Sequence, residues 1–70
     1  MTSEELKDAL LKKYPVRAGG IEYNCVTAVI YREKNGRIAV SGELLDKNKN
    51  SVTIVSLDNI EKGESTWEGN

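Results

Sequence analysis

The chain has 70 residues, 39% of them apolar and 30% charged, with a net charge of −1. That length holds a single domain and hides only about 60% of the surface that the unfolded chain exposes. The core is therefore thin, and a disulfide, a metal or a partner subunit would add to it. Cys25 is the lone cysteine and histidine is absent, which excludes a disulfide within the chain and leaves a zinc site short of ligands. No cofactor or metal is expected, and self-association or a protein partner is.

No apolar run approaches the roughly 18 residues needed to cross a bilayer, so no membrane partner is expected. The polar, acidic start Met1-Thr2-Ser3-Glu4-Glu5 lacks the basic and apolar regions of a secretory signal. Together with an unpaired cysteine in an apolar run, this points to a cytoplasmic protein. Charge is unevenly placed. Residues 1–11 set Lys7 against Glu4, Glu5 and Asp8. Residues 12–49 set Lys12, Lys13, Arg17, Arg32, Lys34, Arg37, Lys47 and Lys49 against Glu22, Glu33, Glu43 and Asp46. Residues 50–70 set Lys62 against Asp58, Glu61, Glu64 and Glu68. A basic middle between acidic ends points weakly to a polyanion, and a mixed, solvated surface is the favoured account.

The first element is a helix. Thr2 and Glu5 fit the S/T-x-x-E capping box, in which each side chain satisfies a free backbone N–H. Leu6, Ala9, Leu10 and Tyr14 follow at helical spacing as one apolar stripe, with Lys13 inside it, its stem on apolar surface and its ammonium in water. Early acids and late lysines suit the helix dipole. Pro15 disfavours helical geometry at Tyr14, so the helix ends near Lys13.

Gly19-Gly20 signals a two-residue hairpin turn, with Val16–Ala18 as a short strand before it; Pro15 suits the first residue of an edge strand. Residues 21–33 form a long strand apolar on both faces at its centre. Strict alternation puts Ile21, Tyr23, Cys25, Thr27, Val29 and Tyr31 on one face, and Glu22, Asn24, Val26, Ala28, Ile30 and Arg32 on the other. A strand covered on both sides or bent along its length belongs to a curled sheet or partial barrel. Asn35-Gly36 is a second hairpin signal. In the returning strand, residues 37–46, Ile38, Val40, Gly42 and Leu44 share a face, and Gly42 suggests a bulge or bend. A polar loop over residues 46–50 leads to a strand at 51–57, where Val52 and Ile54 oppose Thr53, Val55 and Leu57. Residues 57–60 read as a short turn closing the core. Residues 63–70 read as a weakly ordered tail with Trp67 its large apolar group, which leaves residues 1–62 as the domain.

Asp46, Asn48 and Asn50 match the first ligand positions of a calcium loop. The glycine expected next is Ser51 and the bidentate acid is Leu57, so a hairpin loop is favoured. Cys25 has no base to make a thiolate and reads as core. Glu22, Glu43 and Asp46 are not forced into a shared cleft, and Ser41, Ser51 and Ser56 have no general base. No catalytic residue is expected. The candidate partner-binding set is Tyr23, Tyr31, Arg32, Lys34 and Arg37. Aromatics on a curved sheet beside cations can stack bases and neutralise a nucleic-acid backbone; ordinary strand tyrosines and solubilising turn cations are the plainer account.

The stretch NGRIAVSGELLDKNKNSVTIV resembles the first signature of Sm-like proteins at Gly36, Gly42, Asp46 and Asn50. The spacing differs on both sides of Gly42, and the second motif is absent. The resemblance implies a small barrel of SH3-like or Sm-like type. In general character the chain also resembles small proteins of bacterial mobile elements, a likeness carried by no particular residue.

The fold expected is α+β: the helix packed on a curled antiparallel β-meander of three to five strands, as an SH3-like partial barrel. The function expected is a non-enzymatic binding or adaptor module that engages protein through a sheet edge or the helix–sheet margin. The alternative is a nucleic-acid-binding module.

Overall fold

Thr2 opens the chain with both halves of the capping box in place. Its hydroxyl accepts from the Glu5 N–H at 3.1 Å, and the Glu5 carboxylate accepts from the Thr2 N–H at 2.9 Å. In the computed structural model, which describes residues 1–63, helix α1 spans Ser3–Lys12. It ends with Lys13 in the left-handed region at φ 63°, its N–H donating to the Ala9 carbonyl. Lys13 therefore leaves the apolar stripe as the cap rather than snorkelling from within it. Leu6 and Ala9 are fully buried and Leu10 and Tyr14 half-buried, as the spacing implies, while Leu11 points away at 78% exposure.

Six antiparallel strands follow among the described residues: β1 Val16–Ala18, β2 Ile21–Tyr23, β3 Cys25–Lys34, β4 Arg37–Leu45, β5 Val52–Ser56 and β6 Ile60–Lys62. They form two three-stranded sheets, ordered β2-β1-β6 and β3-β4-β5. The protein is thus α+β, with one N-terminal helix and two antiparallel sheets, and no closed barrel forms among the described residues. Six strands exceed the three to five expected, for two reasons. The long strand is interrupted at Asn24, where pairing changes from β1 to β4. The supposed turn at residues 57–60 is a 3₁₀ turn, Leu57–Asn59, that feeds β6 back onto β1. Trp67 and the rest of residues 64–70 lie outside the described residues. Gly63 is described, its N–H donating to the Pro15 carbonyl at 3.1 Å.

The turns obey the backbone chemistry of their residues. Gly19 and Gly20 have φ of 58° and 77°, and Asn35 and Gly36 have 54° and 79°. Positive φ at both central positions is the geometry whose twist suits a two-residue hairpin. The Glu33 carboxylate steadies the second turn by accepting from the Gly36 N–H at 2.7 Å.

The core gathers Leu6 and Ala9 of α1, Val16 and Ala18 of β1, Tyr23 of β2, Val26 of β3, Leu44 of β4 and Ile60 of β6. Gly42 lies at its centre, but not as a bulge. A Cβ there would stand 3.0 Å from Ile60 Cδ1 and 3.2 Å from Leu6 Cδ1, so the glycine lets α1 and β6 close onto β4. The bulge lies across the ladder, at Thr27 in β3, between the pairs Val26–Leu44 and Ala28–Glu43. One extra residue reverses the alternation. Val26, Val29 and Tyr31 therefore share the inner face, and Ala28, Ile30 and Arg32 the outer one, in place of the strict alternation expected. A Glu5–Lys62 ion pair at 3.5 Å links α1 to β6 at the surface. No helix among the described residues is long and apolar enough to cross a membrane.

Gly42→Val should lower stability by about 1–3 kcal/mol, since the added methyls drive Leu6 and Ile60 out of a filled site. Urea unfolding followed by circular dichroism checks this, and a variant as stable as the native chain would refute the close-packing role of Gly42.

Candidate functional site

The β3–β4 register decides what the candidate residues can do together. Cross-strand partners present their side chains to the same face. Arg32 stands opposite Ala39, and Lys34 opposite Arg37, so Arg32, Lys34 and Arg37 share the outer face near the hairpin tip, all exposed. Tyr31, opposite Val40, lies on the other face at 50% exposure. Tyr23 is separated from all of them: it pairs with Val16 and is 9% exposed, within the core. The structure brings the three cations together and separates them from both aromatic rings. A depression of about 450 Å³ at the tip is lined by Lys34, Asn35, Arg37, Ile38 and Ala39.

The carboxylates weighed for acid–base work are engaged separately. Glu22 faces Arg17 across the first hairpin, with Nη2 to Oε1 at 3.3 Å. Glu43 Oε1 accepts from the Thr27 hydroxyl at 2.8 Å, so the bulge residue holds that side chain on the outer face. Asp46 accepts from the Asn50 N–H at 2.9 Å and the Ser51 hydroxyl at 3.1 Å, the internal bonding of a hairpin loop. Cys25 is buried with a free thiol. Among the described residues no group of three or more His, Cys, Asp or Glu side chains is placed to hold a metal ion.

A different surface emerges on the outer face of β3-β4-β5. Ladder rows align Leu45 with Val52, and Ala28 and Glu43 with Ile54. Val52 and Ile54 are each 47% exposed, and Ile30 and Leu45 beside them are half-buried. Among the described residues β5 is the last strand of its sheet. The phase of its ladder follows from the bond of the Asp46 N–H to the Ser51 carbonyl at 3.1 Å, in the same register as the strand pairs. In an antiparallel ladder hydrogen-bonded and non-bonded pairs alternate. Ser51, Thr53 and Val55 thus turn their backbone groups toward β4, while Val52, Ile54 and Ser56 turn theirs to the open edge. No residue of β5 is charged, and the strand carries no proline and no bulge, so it lacks the usual guards of a sheet edge. Where β5 ends opposite Ser41, a groove of about 250 Å³ remains between Ile38–Ser41 and Ser56–Asp58.

The sequence names Val52 and Ile54 as one strand face, but their exposure depends on where α1 lies. The uncharged run Val52-Thr53-Ile54-Val55-Ser56 was the legible signal for an unguarded edge. Comparison of the chain with protein-family models, with curated proteins and with solved structures gives no match.

The loop that delivers the chain to β5 is acid-sensitive. The Asp46 carboxyl is held below its ordinary value of 3.8, chiefly by the Asn50 N–H and further by bonds from Ser51 and Lys49, against an opposing desolvation effect. A carboxyl lowered in the folded state stabilises it above the unfolded value and loses that contribution as pH falls through the folded value. In amide spectra recorded from about pH 6 to about pH 2, Asn50 and Ser51 should shift together with a midpoint below 3.8, and the shift should vanish in Asp46→Asn. A midpoint at or above that value would refute the bonding.

Proposed function

We propose that the chain is a non-enzymatic protein-binding module that takes its partner as an added strand at the β5 edge. The observation that carries this reading is the outward backbone of Val52, Ile54 and Ser56 on an uncharged strand, beside a half-exposed apolar face. Strand addition gains affinity from main-chain hydrogen bonds and specificity from alternate side chains, and both are on offer here. Leu45, Val52 and Ile54 supply the apolar row, and Glu43 supplies a fixed carboxylate within it.

The architecture belongs to the same proposal. β2 and β3 run on across Asn24, so the strands follow one another as β6, β1, β2 with β3, β4 and β5. That order, with a short 3₁₀ turn before the last strand, supports an SH3-like partial barrel.

The test uses the full chain as bait beside Ile54→Pro. The Ile54 N–H faces away from β4, so proline there removes an edge donor and no ladder bond. A protein retained by the native chain and lost with Ile54→Pro should, once purified, shift the amides of Val52, Ile54 and Ser56. Partner binding unchanged by Ile54→Pro would overturn strand addition.

A second reading has one observation in its favour, the grouping of Arg32, Lys34 and Arg37 on one exposed face. With Tyr23 buried and Tyr31 on the opposite face, these cations would hold a nucleic acid by phosphate neutralisation without stacking. Binding to single-stranded DNA should then be sequence-indifferent. It should fall as salt rises, with a log–log slope of about −2 for three contacts, and charge reversal of all three residues should abolish it. Absence of binding in low salt would remove this reading.

A further inference from the structure

We propose that the chain forms a two-fold dimer in which β5 of one copy pairs antiparallel with β5 of another, in the register that sets Ile54 opposite Ile54. The inference rests on the strand-addition reading above and names the occupant of the edge as a second copy of this chain.

The ladder phase makes the edge self-complementary. Val52, Ile54 and Ser56 each point an N–H and a C=O outward, and these positions are symmetric about Ile54. A two-fold axis at Ile54 makes Ile54–Ile54 a hydrogen-bonded pair and both Val52–Ser56 contacts hydrogen-bonded pairs, so every outward group of both strands is satisfied. The same axis sets the two Ile54 side chains next to each other on the outer face, where each is 47% exposed in the single copy. Cross-strand partners in such a pair stand about 5.5 Å apart at Cα, within contact distance for two isoleucines.

Charge favours the same arrangement. β5 carries none, so two copies meet without like-charge repulsion. Antiparallel pairing also brings the loop bearing Lys47 and Lys49 of one copy toward Asp58 of the other, which follows Ser56. Among the other edge strands, β2 carries Glu22 and β3 carries Arg32, Glu33 and Lys34, and β6 suits the role less well too. It is three residues long, and two of them, Glu61 and Lys62, are charged, a common device against edge pairing. Two β5 strands therefore match each other better than β5 matches β6, and an isologous contact closes at two copies instead of propagating.

The full chain is examined by sedimentation equilibrium from about 10 µM to about 1 mM, a range matched to a short interface of micromolar affinity, with amide exchange measured at both ends. The native chain should pass from monomer to dimer. Exchange at Val52, Ile54 and Ser56 should slow by at least about tenfold between the two concentrations, as the open edge becomes paired. Ile54→Pro should remain monomeric with native circular dichroism. Ile54→Lys, which keeps the N–H and sets two ammonium groups against each other across the axis, should do the same, and it tests the axis should the proline variant fail to fold. A native chain that stays monomeric at the highest concentration overturns the dimer. So does an assembly that survives Ile54→Lys, a species larger than two, or a monomer whose Val52, Ile54 and Ser56 amides are already protected by another segment of its own chain. A monomeric chain that still takes a foreign strand at β5 overturns the dimer and leaves the binding reading intact, whereas a partner indifferent to Ile54→Pro overturns that reading itself.

Discussion

The contact of Leu6 and Ile60 over Gly42 is the constraint on which the rest of the molecule depends. A side chain at position 42 would meet both methyl groups at 3.0–3.2 Å, and its absence lets the helix and the last strand reach the middle of β4 from the same side. α1 joins the second sheet there through Leu6, and β6 joins it there while hydrogen-bonded to β1. One contact thus unites the helix and both sheets. In so short a chain there is little further apolar area to add, and burying a leucine-sized side chain is worth roughly 1.5–3 kcal/mol. Loss of one such group is a sizeable part of a small domain's net stability of about 5 kcal/mol or somewhat more.

Where the helix stops, burial stops. Val26, Val29 and Leu44 lie beneath or beside it, whereas Tyr31 and Ile38 lie farther along the same hairpin and stay 50% and 63% exposed. Among the described residues no helix lies over the outer face of the second sheet, and its apolar row remains partly in water. The exposed features of this protein are consequences of covering two sheets with ten residues of helix.

Much of this was legible locally. The capping box, the helix stop before Pro15 and both two-residue turns depend on residues that dictate their own backbone, and those expectations hold. The bulge was not legible, because Thr27 has no conformational need that distinguishes it from a regular strand residue, and only its partner β4 reveals the slip. That slip is why strict alternation set Val26 on one face with Ala28, Ile30 and Arg32 instead of with Val29 and Tyr31. β6 escaped notice for a related reason. Three residues with one buried side chain carry no periodicity, and their partner lies far back at Val16–Ala18. Gly42 was correctly singled out as unusual but for the wrong cause, since a close approach by residues distant in sequence leaves the same mark as a bend. Tyr23 and Tyr31 read as neighbours on one face, yet the first is locked into the core and the second lies beyond it.

The distribution of charge over the sheet edges separates β5 from the rest. β6 carries Glu61 and Lys62, the latter paired to Glu5 of the helix, and the β3–β4 tip carries Arg32, Lys34 and Arg37. These are the places where foreign strands are ordinarily repelled, and β5 has no such guard among its residues. Under the proposed dimer the unguarded edge is consumed by self-pairing, and a foreign strand must displace the second copy to reach it. Occupancy by the partner then depends on the concentration of the chain itself. Each association stabilises the fold by mass action, and the two compete through one set of backbone groups. Such a module would be receptive when scarce and self-blocked when abundant, with Ile54 setting the balance, because the same side chain lies at the dimer axis and in the apolar row that a partner must cover.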